Sequence, residues 1–111
     1  MEIDNRWIAD YDKATEIIKS EIKKTLPKFE LVEENLKRRT SYYYLDFKYQ
    51  NMILEIGGDR GYIMFYLKVD EIPVSLPKEN IRFKDLEVAS ENNFVIFIGL
   101  LKEYFEKKKL I

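Results

Sequence analysis

Apolar residues in the first quarter of the chain recur every three or four positions. Trp7, Tyr11, Ala14, Ile18, Ile22 and Leu26 fall on one helical face, widened by Ile8 and Ile17. Lys13, Glu16, Lys19, Lys23 and Lys24 lie opposite. That period predicts an amphipathic helix over about Asp4 to Leu26, with Asp4 and Asp10 as alternative caps. Pro27 closes it, because proline disfavours helical geometry in the residue before it. With Trp7 on the buried stripe, Trp7→Ala is expected to cost about 3–5 kcal/mol. The spacing then changes to two. Phe29 to Glu33 reads as a short strand with Phe29 and Leu31 inward, and Asn35 to Arg39 as a polar connection. Thr40 to Tyr49, Met52 to Gly57 and Tyr62 to Val69 read as three further strands. Gln50-Asn51 is a two-residue turn with Asn51 suited to positive φ, and Gly58 to Gly61 is a four-residue loop.

After Asp70 the alternation stops. Pro73 and Pro77 bracket an irregular stretch to about Asn80, and Ile81 to Leu86 leads into a short helical turn. Phe94, Phe97, Ile98, Leu101, Tyr104 and Phe105 restore the helical period. They predict a last helix from about Glu91 to Lys108, with Ser90 as N-cap and Lys107, Lys108 and Lys109 suiting its C-terminal dipole. Consecutive strands with short turns pair antiparallel. The expected fold is a single α+β domain over residues 1–111. It is a two-layer sandwich of N-terminal helix, four-stranded antiparallel meander and C-terminal helix.

Turn length sets register. The Gln50-Asn51 turn places Tyr49 opposite Met52, Phe47 opposite Leu54, Leu45 opposite Ile56 and Asp46 opposite Glu55. The loop at Gly58 to Gly61 places Gly57 opposite Tyr62, Ile56 opposite Ile63 and Leu54 opposite Phe65. One face then holds Tyr43, Leu45, Phe47, Tyr49, Met52, Leu54, Ile56, Ile63, Phe65, Leu67 and Val69 and belongs under the helices. The other carries Tyr42, Tyr44, Asp46, Lys48, Ile53, Glu55, Gly57, Tyr62, Met64, Tyr66 and Lys68. Tyrosine and methionine are enriched at protein interfaces. Tyr42, Tyr44, Asp46, Glu55, Tyr62, Met64 and Tyr66 are therefore the candidate partner-binding residues. A facing carboxylate pair is unfavourable unless offset. Lys48 and Lys68 can screen it, or a partner's arginine can dock between Asp46 and Glu55, with Gly57 leaving a shallow depression between Tyr44 and Tyr62.

Composition narrows the chemistry. The 111 residues are 46% hydrophobic and 35% charged, enough for a packed core. There is no cysteine and no histidine. Disulfides, thiolate sites, the commonest general base and the commonest transition-metal ligand are excluded. No residues suggest a cofactor or metal site. Ser20, Ser41, Ser75 and Ser90 lie in no nucleophile-elbow pattern. Gly57-Gly58-Asp59-Arg60-Gly61 lacks the downstream Lys-Ser/Thr of a phosphate loop and reads as a hairpin turn, with Arg60 acting locally. An enzyme is not expected. Lys plus Arg is 19 against 20 for Asp plus Glu, a net charge of −1, so no global field recruits nucleic acid. Lys37-Arg38-Arg39 beside the Tyr42–Tyr44 run is the one feature suited to single-stranded nucleic acid, diluted by Glu33 and Glu34. The start lacks the basic and apolar segments of a signal peptide, and no apolar run approaches the roughly 20 residues that span a bilayer. The expectation is a cytoplasmic protein without membrane contact.

The layout resembles that of small bacterial immunity-type proteins. The resemblance lies in Phe29-Glu30-Leu31-Val32-Glu33, in the strand pair joined through Leu54-Glu55-Ile56-Gly57-Gly58-Asp59-Arg60-Gly61-Tyr62, and in the closing amphipathic helix. It implies a protein partner, a cognate toxin, bound and neutralised in the cytoplasm. An accessory interaction module and a weak single-strand binder are the alternatives.

Overall fold

Alternation of side chains across paired strands divides the molecule into two layers. The computed structural model describes residues 6–37 and 42–111. Helix α1 (Tyr11–Thr25) precedes strands β1 (Glu30–Lys37), β2 (Tyr42–Tyr49), β3 (Met52–Asp59), β4 (Tyr62–Val69) and β5 (Ile72–Val74). A short helix α2 (Leu76–Glu79), a 3-10 turn (Ile81–Asp85) and helix α3 (Glu91–Lys107) complete the chain. The strands form one antiparallel sheet in the order β1-β2-β3-β4-β5. The α+β class and the helix-meander-helix order are as expected, but the sheet has five strands rather than four.

The core lies between one sheet face and the helices. Ala14, Ile18 and Ile22 of α1 and Phe94, Phe97, Ile98, Leu101 and Phe105 of α3 are buried against Tyr43, Leu45, Phe47, Met52, Leu54, Ile56 and Leu67. Aromatic contacts join the layers. Phe29 stacks on Phe105 at 5.2 Å, and Phe97 meets Phe65 at 4.8 Å and Phe83 at 5.3 Å. Such pairs add to the gain from burial. Ser90 caps α3 by accepting from the Asn93 N–H at 3.2 Å, and Asp10 caps α1 by accepting from the Asp12 N–H at 3.0 Å.

Two-residue turns fix the register. The β2–β3 pairing is the expected one throughout, with Tyr49 opposite Met52 and Asp46 opposite Glu55. Positive φ falls on Gln50 (53°) rather than on Asn51. The β3–β4 connection differs from the expected four-residue loop. Pairing continues through Gly58 and Asp59, and only Arg60 (φ 51°) and Gly61 (φ 87°) turn, the sign pattern of a type I′ hairpin. The Tyr43 ring covers Gly58, so the strand holds together where glycines suggest a break. Partners shift by two residues, which leaves every side chain on its expected face: Ile56 meets Phe65 and Leu54 meets Leu67. β5 was not expected, because three residues around a proline read as a non-strand. At a sheet edge proline is tolerated.

The N-terminal segment also departs from expectation. Asp4 lies outside the described residues, and α1 starts only at Tyr11. Trp7 is not on the helix. It bridges Ser90, is 51% exposed and lays its ring over Gly61, where an added Cβ would come within 3.3 Å of it, while Ile8 is buried and donates its N–H to the Ala89 carbonyl at 3.0 Å. Leu31 pairs with the buried Phe47, on the expected side of the sheet, but on the edge strand it stays 42% exposed. Asn35 to Lys37, expected as a connection, extend β1, and Arg38 and Arg39 lie outside the described residues. Phe97→Ala should therefore cost about 3–5 kcal/mol in urea unfolding, and Trp7→Ala less than about 1.5 kcal/mol. Equal losses would restore Trp7 to the core.

Candidate functional site: the uncovered face of the sheet

The helices and the 3-10 turn all pack on one side of the sheet, which leaves the other side to the residues of β1–β4. Tight turns bring the seven candidate residues together there. Rungs run across the strands: Asn35–Tyr44–Gly57–Met64, then Glu33–Asp46–Glu55–Tyr66, then Glu30–Lys48–Ile53–Lys68. Tyr42, Asp59 and Tyr62 stand at the Arg60 end. Tyr62 and Tyr66 are exposed, and Tyr42, Tyr44, Asp46, Glu55 and Met64 are half-buried among their neighbours.

Tyr44 is the best-anchored ring. Its hydroxyl accepts from Asn35 Nδ2 at 3.2 Å and donates to Glu33 Oε1 at 3.4 Å, and its ring meets Tyr42 edge-on at 5.7 Å. Gly57 does not leave the expected depression. It lies between Tyr44 and Met64, not Tyr62, and a Cβ there would strike the Tyr43 carbonyl oxygen with Tyr44 Cα at 2.7 Å. The backbone of β2 fills that place, and glycine is needed for this close approach.

The third carboxylate, Glu33, was missed as a member of the site. Strict alternation from Phe29 and Leu31 would turn it inward. A bulge between Leu31 and Glu33 adds a residue and reverses the phase, so Glu33 faces Asp46. Glu34 consequently turns to the helix side and pairs with Lys19 at 2.9 Å. Only a local break in the pairing produces this, and no residue between Leu31 and Glu33 marks it in the sequence.

The three carboxyls repel one another. Burial raises the Asp46 carboxyl above the ordinary range, with Glu33 adding to the rise and a hydrogen bond to Glu55 opposing it. The Glu55 carboxyl is raised by burial first, then by the charge of Asp46, by its hydrogen bond to Asp46 and by Glu33. Asp46 Oδ1 is enclosed, and no N–H or O–H donor among the described residues reaches it. Lys48 and Lys68 stand one rung away beside Ile53, and neither ammonium is among the groups that shift the two carboxyls. The same field reaches the aromatics. The Tyr42 hydroxyl is raised by desolvation first and then by Glu55, Tyr44, Asp59 and Asp46.

Arg60 pairs locally with Asp59 at 3.4 Å and is 83% exposed, as expected of a hairpin-tip residue. Among the described residues no group of three His, Cys, Asp or Glu side chains is placed to hold a metal ion, and no helix is long and apolar enough to cross a membrane. The chain matches no protein-family model, no curated protein and no solved structure.

Raised carboxyls make folding favour the protonated form. The native state then binds more protons than the unfolded chain between the ordinary carboxylate value and the raised one, so the pair's contribution falls as pH rises through that window. The urea midpoint of Asp46→Asn/Glu55→Gln relative to the native protein should therefore rise from about pH 4 to about pH 7. A difference independent of pH would show that the carboxyls are not strained.

Proposed function

We propose that the chain is a non-catalytic protein-binding protein of the bacterial immunity type, and that it neutralises a cognate toxin in the cytoplasm by docking its uncovered sheet face. One observation carries this reading: four tyrosines and a methionine surround a carboxyl row on a face that no described element covers. Aromatic rings held by a sheet lose little conformational freedom on binding, which favours them as interface anchors. The carboxyl repulsion adds a second contribution, since a partner's cation relieves it. Nucleic acid fits the face less well. Glu33, Asp46, Glu55 and Asp59 interleave with the tyrosines and oppose phosphate.

The test is co-expression with the product of the reading frame adjoining this chain's own. Growth should be restored by the native protein. Tyr44→Ala/Tyr66→Ala should weaken binding to that product by more than about 2 kcal/mol, read by calorimetry, with the fold intact. Absence of both binding and protection would refute the immunity reading. Protection unaffected by the double variant would move the interface to the Pro73–Asn80 segment or an edge strand.

A further inference from the structure

Charge on the uncovered face is sorted along the strands. The rung Glu33–Asp46–Glu55 is acidic, with Tyr44 two residues before Asp46 on β2 and Tyr66 beside Glu55. The next rung toward the Gln50 turn places Lys48 and Lys68 on either side of Ile53, with Glu30 at its β1 end. A shallow recess of about 390 Å³ opens over this second rung, and Asp70 and Glu71 close it on the turn side. Asp46 and Lys48 are two residues apart on one strand, so the two rungs are separated by about 7 Å.

We propose that the uncovered face selects a protein partner bearing a basic side chain and, about 7 Å from it, an acidic one. The base sits over Glu33, Asp46 and Glu55, and the acid sits over Lys48 and Lys68. This rests on the protein-binding reading above and adds the partner's chemistry and orientation to it. Charge complementarity carries the argument. Among the described residues no cation lies within the acidic rung, so an incoming cation meets its carboxylates at their exposed edge. Arginine suits the place better than lysine, because its planar cation can meet carboxylates while lying against the Tyr44 or Tyr66 ring. The reversed docking sets acid on acid and base on base. Such like-charge contacts reject wrong orientations more strongly than matched ones reward the right one.

The probes are the blocked tripeptides Arg-Ser-Glu, Arg-Ser-Arg and Glu-Ser-Glu, titrated into the isotope-labelled full chain and followed by amide chemical shifts. In an extended peptide, side chains two residues apart share one side at the spacing of the rungs. Arg-Ser-Glu should shift the signals of Tyr44, Asp46, Glu55, Tyr66 and Lys68 and bind at least about threefold tighter than either other peptide. In Lys48→Glu/Lys68→Glu the order should change, with Arg-Ser-Arg the tightest. Equal affinities, shifts away from this face, or an unchanged order in the variant would overturn the proposal. If the peptides show no preference while toxin protection still depends on Tyr44 and Tyr66, charge selection falls and the protein-binding reading stands. If the preference appears and protection ignores the face, the proposed function falls and the charge selectivity stands.

Discussion

Everything in this molecule follows from the phase of the strand alternation. Two-residue turns at Gln50-Asn51, Arg60-Gly61 and Asp70-Glu71 join β2 through β5, and positive φ at Gln50, Arg60, Gly61, Asp70 and Glu71 sets them. A slip of one residue would carry Asp46, Lys48 and Glu55 into the core and expose Leu45, Phe47 and Leu54. The phenylalanines of α3 then lock the phase. Phe97 reaches both Phe65 on β4 and Phe83 on the 3-10 turn, so the closing helix packs only if the sheet presents its aromatic side. The uncovered face is the necessary complement of that core.

How far the sequence reveals this depends on how local each determinant is. The β2–β3 register is legible because a two-residue spacer between two alternating runs admits one pairing. The Gly58 to Gly61 stretch misleads because glycines suggest a loop, whereas the Tyr43 ring from the neighbouring strand keeps Gly58 in the sheet. The error is even in residue count, so the faces survive it. β5 is hidden by its length, by Pro73 and by a turn, Asp70-Glu71, that has no glycine despite positive φ at both positions. Trp7 continues the helical period of α1 by coincidence. Its backbone instead joins the Ser90 segment, a contact between the two ends of the chain that periodicity does not encode.

The candidate site divides in the same way. Its seven residues share one face because of the alternation, and the Asp46–Glu55 confrontation is written in the turn. Glu33 joins through a bulge, and the hollow expected at Gly57 is filled by backbone. The result is a face with more negative charge than the expected pair supplies, and one that its own lysines leave uncompensated. Sheet edges are better protected. β1 carries Glu30, Glu33 and Glu34 with a bulge, and β5 is short and holds Pro73, both features that discourage strand addition. The broad face, rather than an edge, is the surface left available.

The central claim is that this face sets the Asp46 and Glu55 carboxyls against each other, which raises both. Carbon-detected NMR titration of the Asp46 and Glu55 side-chain carboxyls in the native protein tests it most directly. Each should titrate above its ordinary carboxylate value, and Asp46→Asn should bring Glu55 back toward that value. Two independent titrations at or below that value, unmoved by the substitution, would contradict it.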